Sequence, residues 1–239
     1  MTDLKLVSHD LCPFVQRSVI VAAHRDIELD TVNVDLQARP DWFVELSPTG
    51  KVPMLLLDAD TRPRPLFDST VINEYLDEIS GGTMSAKDPL ARAEQRSIIE
   101  LSSAALDDAW QLGRAQDEVE AHGFAGALQT KLARLEAMVE GPMFLGRQLS
   151  LVDAALVPLL QRVVWTDAMV PELGLLEGIP GLRAWLAACE EIEAVRSSTD
   201  ADSAARYQQL FIDSGSWVGR RALARRAEPT PPPLMSEAS

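Results

Sequence analysis

Apolar positions along the chain change their rhythm near residue 80. Before that point, short β-branched and apolar runs alternate with stretches at helical spacing; beyond it almost no strand signal survives. Leu4-Lys5-Leu6-Val7-Ser8 predicts a first strand, and Val15, Val19, Ile20 and Ala23 a helix ending near Arg25-Asp26. A second strand is expected over 28–34 and a short helical turn over 40–46, closed by Ser47-Pro48-Thr49-Gly50. The run 52–57 reads as a third strand and Leu66-Phe67 as a brief fourth. Asp68-Ser69 then caps a helix with Val71, Ile72, Tyr75, Leu76 and Ile79 on one face. The order, βαβ followed by ββα, suits a small mixed sheet with helices on both sides.

Ser80-Gly81-Gly82-Thr83 stops that helix, and a new pattern begins after Asp88-Pro89, so domains are expected over 1–80 and 88–218. Ile98, Leu101, Ala105, Ala109 and Leu112 mark a long amphipathic helix, and Leu128, Leu132, Leu135 and Met138 another. After Gly141-Pro142, Ser150 and Asp153 have the spacing of a capping box, and Pro158 inside the helix they start should bend it. Further helices are expected over 180–191 and 202–212. The segment 219–239 reads as a flexible tail, its Glu228-Pro229-Thr230-Pro231-Pro232-Pro233 part being of disordered composition. No internal repeat is present.

Composition narrows the classes. The 239 residues carry a formal net charge of −14, which argues against a general nucleic-acid binder. Four arginines at 220, 221, 225 and 226 are a local exception, expected as a solvated helix end or tail. No apolar run is long enough to cross a bilayer, and Met1-Thr2-Asp3-Leu4-Lys5 shows no signal pattern, so a cytoplasmic protein is expected. Two cysteines, Cys12 and Cys189, fit a reducing compartment rather than a disulfide framework.

Candidate chemistry concentrates at Cys12. It stands where a strand hands over to a helix, with Pro13 at the first helical position, where no N–H is needed. Many cysteines are simply small buried hydrophobes. Here the helix N-terminus supplies unpaired N–H groups that favour a thiolate, so a thiol titrating well below about 8.5 is expected. His9, three residues upstream, either assists or is a solvated, locally bonded strand-end residue. Cys189 lies on an apolar stretch and reads as an inert core thiol. The histidines and cysteines lack metal-ligand spacing, so no metal is expected.

Four segments, in order, resemble the cytosolic glutathione transferases of the cysteine type, especially the omega class and its bacterial relatives. Cys12-Pro13-Phe14-Val15-Gln16-Arg17 is similar to the start of those classes, and Arg39-Pro40-Asp41-Trp42-Phe43 to the segment before their short second helix. Lys51-Val52-Pro53 with Asp68-Ser69 resembles the glutathione-binding half; Ser150-Leu151-Val152-Asp153 with Pro158 and Arg162 resembles the capped, proline-bent helix of the second. The resemblance spans roughly residues 4–215. It implies a fold of an α/β thioredoxin-like N-terminal domain plus an all-α C-terminal domain, glutathione as co-substrate and a homodimer. It also implies a glutathione site at Pro13, Phe14, Arg39, Val52, Pro53, Asp68 and Ser69, with Pro53 cis. Without it, Pro53 reads equally as a trans edge-strand residue and Asp68 as a helix cap and nothing more.

Two departures from the family pattern stand out. Asp68 occupies the place of a glutamate. Gln37 falls where omega members carry a lysine that meets the glycyl carboxylate, a contact that either passes to Arg39 or is missing. Val15 takes the second position of a C-x-x-C pair, so glutathione itself must resolve any mixed disulfide. Monothiol transfer through a Cys12–glutathione disulfide is therefore the leading expectation. Conjugation or lyase chemistry on an aromatic electrophile is an alternative, and a non-catalytic binding protein of the same fold a second. Trp110, Arg114, Trp165 and Trp217 are candidates by type for the second substrate, though aromatics at helical spacing also serve as plain core.

Overall fold

In the computed structural model, which describes residues 4–59 and 61–227, Leu4–Ser8 forms strand β1. It pairs in parallel with β2 (Asp30–Asn33) and antiparallel with β3 (Met54–Leu57), which in turn pairs antiparallel with β4 (Arg64–Phe67). The sheet order is β2–β1–β3–β4, and Leu6 lies opposite Thr31 on one side and Leu55 on the other. The inner strands are covered on both faces, with Leu6, Val7, Met54 and Leu55 fully buried. That is why β3 reads as a continuous apolar run rather than an alternating one. The edge strands β2 and β4 are more exposed.

Helix α1 (Pro13–His24) packs beside α3 (Ser69–Ile79), where buried Ser18 donates to Asn73 Oδ1 at 2.7 Å. The short α2 (Asp41–Leu46) contributes fully buried Phe43. Past α3, buried Asp77 ties down the connection to the helical half: its Oδ1 accepts the Thr83 and Met84 N–H groups at 3.0 and 3.1 Å.

That half begins with α4 (Pro89–Arg114), whose first turn is capped by the Asp88 carboxylate. There follow α5 (Glu118–Glu136), α6 (Leu151–Met169), a 3-10 turn at Pro171–Leu173, α7 (Pro180–Glu190), α8 (Glu193–Arg196), α9 (Ser203–Asp213) and α10 (Trp217–Ala227). Helix α6 is the central member. It packs against α4 on one side and α1 of the sheet half on another, and nearly every one of its residues is buried.

The start of α6 is the capping box expected from Ser150 and Asp153. Tertiary structure adds to it: the fully buried Asp153 carboxylate also accepts the Phe144 N–H and the Trp185 indole N–H, each at 2.7 Å. One side chain thus fixes the α6 start, the preceding loop and α7. Pro158 lies inside the helix as expected.

The expected flexible tail needs correcting. Residues 219–227 belong to α10, with Val218, Gly219 and Ala222 buried. A Cβ on Gly219 would stand 2.1 Å from the Phe211 carbonyl oxygen, so α10 lies directly against α9. Its four arginines form the exposed helix end expected of them and are also bonded at the surface: Arg221 and Arg225 both meet Glu172, and Arg220 donates to the Gln116 carbonyl. Four arginines in eight residues masked a short apolar stripe. The remainder of the expected tail, from Glu228, lies outside the described residues. Met138, expected on the α5 stripe, follows the end of that helix and is 41 % exposed.

Ser150→Ala should lower stability by about 1 kcal/mol, the ordinary cost of a lost cap. Asp153→Ala should cost about 3 kcal/mol or more, because it strands several buried donors at once. Denaturant titration of the two variants checks the order; equal losses would mean that the Phe144 and Trp185 bonds contribute nothing.

Candidate functional site

The β1–α1 connection is a tight turn in which the Cys12 N–H donates to the His9 carbonyl at 3.2 Å. Leu11, in its third position, has φ +58°. Cys12 is the N-cap residue of α1 and Pro13 its first residue, as the sequence indicates. The sulfur lies 3.9 Å from the Val52 carbonyl oxygen, on the residue whose bond to Pro53 is cis. The structure therefore brings Cys12, Pro13, Val52 and Pro53 together. Phe14, half-buried, lies under the Arg17 guanidinium at 4.8 Å.

The thiol does not behave as expected. Burial pushes Cys12 above its ordinary 9.0, against the downward pull of the Val15 and Phe14 N–H groups and then of Arg162 and Arg17. The helix N-terminus acts in the anticipated direction; desolvation under the second half outweighs it.

Asp68, exposed and at φ +76°, caps α3 by accepting the Thr70 N–H at 2.8 Å. Ser69 follows it, buried at the first helical position. Arg39 donates to the Leu36 carbonyl at 3.1 Å and leans over Gly50, where an added Cβ would stand 2.8 Å from its Nη1. Its guanidinium is thus carried to the loop that leads into Val52.

Two buried arginines join the halves at this point. Arg17 donates from Nε to the Ala155 carbonyl, from Nη1 to Ser103 and from Nη2 to Ser102, at 3.0–3.2 Å. Arg162 donates from Nη1 to Gln16 Oε1 at 2.7 Å and to the Pro158 carbonyl at 3.0 Å, and from Nη2 to the Leu11 carbonyl at 2.9 Å. Burial lowers both guanidinium groups to about 10, so both remain charged at neutral pH. Among the described residues neither forms an ion pair with a carboxylate.

A cavity of about 160 Å³ opens between the His9–Cys12 turn, α6 and the connection from α8 to α9. Cys12, Gln16, Arg162, Trp165 and Arg206 line it. His9 also lines it, with Nδ1 3.0 Å from the Val34 carbonyl, so it is locally bonded.

Of the four second-substrate candidates, Trp165 alone reaches this cavity. Trp110 is 40 % exposed and tilts onto Phe211 at 5.7 Å, with Arg114 stacked over it. Trp217 packs its ring near His122 at 6.3 Å while its backbone N–H donates to the Ala115 carbonyl. Those three lie on α4 and α10 outside the lining of this cavity, although Trp110 joins Trp165 through ring contacts over Phe211 and Tyr207. Gln16 and Arg206 were missed. Arg206 carries no local signal, and Gln16 reads simply as a polar residue of α1 until α6 is placed above it.

Cys189 is fully buried beside Met143, and burial raises its thiol strongly. Among the described residues no group of three or more His, Cys, Asp or Glu side chains is arranged to hold a metal ion. None of the described helices is long and apolar enough to cross a membrane.

Comparison with known proteins bears on what this arrangement is. Residues 11–79 match the family model described as glutathione S-transferase, N-terminal domain, and residues 91–188 its C-terminal counterpart. A curated relative, glutathione S-transferase omega-1 of Rattus norvegicus, is 29 % identical over 217 residues, covering 88 % of this chain and 86 % of its own. Glutathione transferase Omega 3C of Trametes versicolor aligns with TM-score 0.70 and 27 % identity, covering 83 % of this chain and 89 % of its own. Rice GST1, solved in complex with glutathione, aligns with TM-score 0.73 and 27 % identity, covering 87 % and 96 %.

The raised thiol sets a pH dependence. Alkylation of Cys12 by iodoacetamide should rise with an apparent midpoint above 9.0, with Cys189 unmodified until unfolding. The native state holds this proton after the unfolded chain has released it, so the Cys12 contribution to stability is present below pH ~8.5 and is lost as pH rises through the folded value. A Cys12 midpoint near 7, read by peptide mass across pH, would show the helix N-terminus winning after all.

Proposed function

The chain belongs to the glutathione S-transferase family, whose two domain models together match more than two thirds of it, and from that premise we propose that it transfers thiols through a Cys12–glutathione mixed disulfide. Glutathione-dependent transferase activity follows from the omega-class relatives; the cysteine mechanism is the further step. The carrying observation is Cys12 at the α1 N-terminus with its sulfur 3.9 Å from the Val52 carbonyl, and Cys189 buried in the other half. A single thiol there can exchange disulfides but cannot form an internal one.

Glutathione is the co-substrate in this reading, as the glutathione complex of the rice neighbour supports. Val52 faces its cysteinyl backbone, the Asp68 carboxylate and the α3 N-terminus its γ-glutamyl end, and Arg39 its glycyl carboxylate. The Cys12 thiolate attacks the glutathionyl sulfur of a mixed disulfide; that S–S bond breaks, and the other thiolate leaves and takes up a proton. A second glutathione, as thiolate, attacks the glutathionyl sulfur held on Cys12, releasing oxidised glutathione and regenerating the Cys12 thiolate. The second substrate occupies the cavity beside Trp165 and Arg162. A homodimer in the cytoplasm belongs to the same proposal and rests on family membership.

The raised Cys12 thiol favours a second reading, conjugation of glutathione to an electrophile. A protonated thiol is a donor that can hydrogen-bond the thiolate of bound glutathione, as a hydroxyl would.

Cys12→Ser separates the two. Thiol transfer to a model mixed disulfide should be abolished, while conjugation to an aromatic chloride is retained or raised; full thiol transfer by the variant would sink the proposal. Asp68→Asn keeps an acceptor for the Thr70 N–H and tolerates positive φ, yet removes the charge. It should weaken glutathione about tenfold by calorimetry with little change in melting temperature, whereas an unchanged dissociation constant would move the γ-glutamyl contact elsewhere.

A further inference from the structure

The turn that presents Cys12 is held from outside its own half. Its Cys12 N–H to His9 carbonyl bond leaves Leu11 in a left-handed conformation, φ +58°, where glycine or asparagine is usual and a leucine is strained. Two arginines of the helical half grip it on either side of that strain. From α6, Arg162 donates to the Leu11 carbonyl at 2.9 Å and is itself fixed by Gln16. From α9, Arg206 Nη1 reaches both oxygens of Asp10, at 2.8 and 2.7 Å, and Nη2 donates to Asp200 at 2.8 Å. Gln16 Nε2 completes the frame by donating to Gln161 and Ser198.

We infer that Arg162 and Arg206 are positioning residues for Cys12: gripping the turn at Leu11 and Asp10, they hold it in the strained form that points the thiol at the α1 N-terminus and the Val52 carbonyl. The inference rests on the proposed role of Cys12 as the reacting thiol. A leucine relaxes out of the left-handed region unless its surroundings over-determine it, and here the surroundings are side chains of the other half. Docking of the two halves thereby becomes a condition for a correctly aimed thiol. The charged and titratable groups around Cys12 are Arg17 from α1, Arg162 from α6, His9 and Asp10 in the turn, and Asp200 and Arg206 across the cavity.

The test follows Cys12 alkylation by iodoacetamide across pH, scored by peptide mass, with melting temperatures as the fold control. Arg162→Lys keeps the charge and loses the planar two-sided grip. The loosened turn should let water reach the sulfur, so alkylation quickens on the order of fivefold, the bias stored in a strained left-handed residue, and its midpoint falls. Adding Leu11→Asn, a residue that accepts the left-handed region, should return rate and midpoint to wild type without restoring the arginine. A folded Arg162→Lys with the wild-type profile overturns the inference. So does a changed profile that Leu11→Asn leaves unrepaired, since Arg162 would then act by charge or packing alone. Should Arg162→Lys fail to fold, Asp10→Ala removes both acceptors of Arg206 Nη1 at the surface and should shift the profile in the same direction; an unshifted profile there overturns the inference equally. Glutathionylation of the wild type by oxidised glutathione is scored separately: its absence removes the thiol-transfer reading, while the alkylation comparison still decides the grip on the turn.

Discussion

The seam between the two halves is built on buried positive charge. Arg17 and Arg162 are 1 % and 3 % exposed, and among the described residues no carboxylate pairs with either. A buried, unneutralised guanidinium is costly unless its N–H groups are satisfied. The fold meets that condition at every nitrogen of Arg17 and at both terminal nitrogens of Arg162, leaving Arg162 Nε without a hydrogen-bond partner among the described residues. The acceptors are serine hydroxyls, backbone carbonyls and the Gln16 amide, drawn from α1, α4, α6 and the β1–α1 turn. Those bonds have fixed directions, so the relative placement of the halves is specified more sharply than apolar packing would specify it.

The same charges shape the chemistry. Cys12 lies where α1 offers N–H groups and two guanidinium groups add their field, all favouring an anion. The seam that brings the arginines close also removes water, and desolvation of the sulfur is the larger effect. The balance holds the thiol protonated beside two guanidinium groups, with Asp10 and Asp200 across the cavity.

Asp68 illustrates how one residue serves fold and function together. Its carboxylate caps α3, so the helix starts where it does because of this side chain, and it is also the largest acidic contribution to the field at Arg17. Cap and ligand contact are compatible because a carboxylate has more than one acceptor site. Asp153 shows the purely structural extreme: buried, fully engaged and remote from the thiol, it stitches the α6 start to α7.

Much was legible in the residues themselves, for a physical reason: strand alternation, helix stripes, caps and the Cys-Pro helix start are local, encoded within a few positions of where they act. The four strands, the change to helices after residue 80, the α6 capping box and Cys12 at a helix N-terminus all belong to that class. What tertiary structure alone decided depends on residues far apart in sequence. That Trp165 alone of the four candidates lines the cavity depends on how the helices pack, and the order within α10 on a glycine that lets it lie against α9. The direction of the Cys12 shift was decided in the same way, since burial is a property of everything packed around the sulfur. The grip of Arg162 and Arg206 on the His9–Cys12 turn joins positions about 150 to 200 residues apart, a distance over which no local pattern carries information.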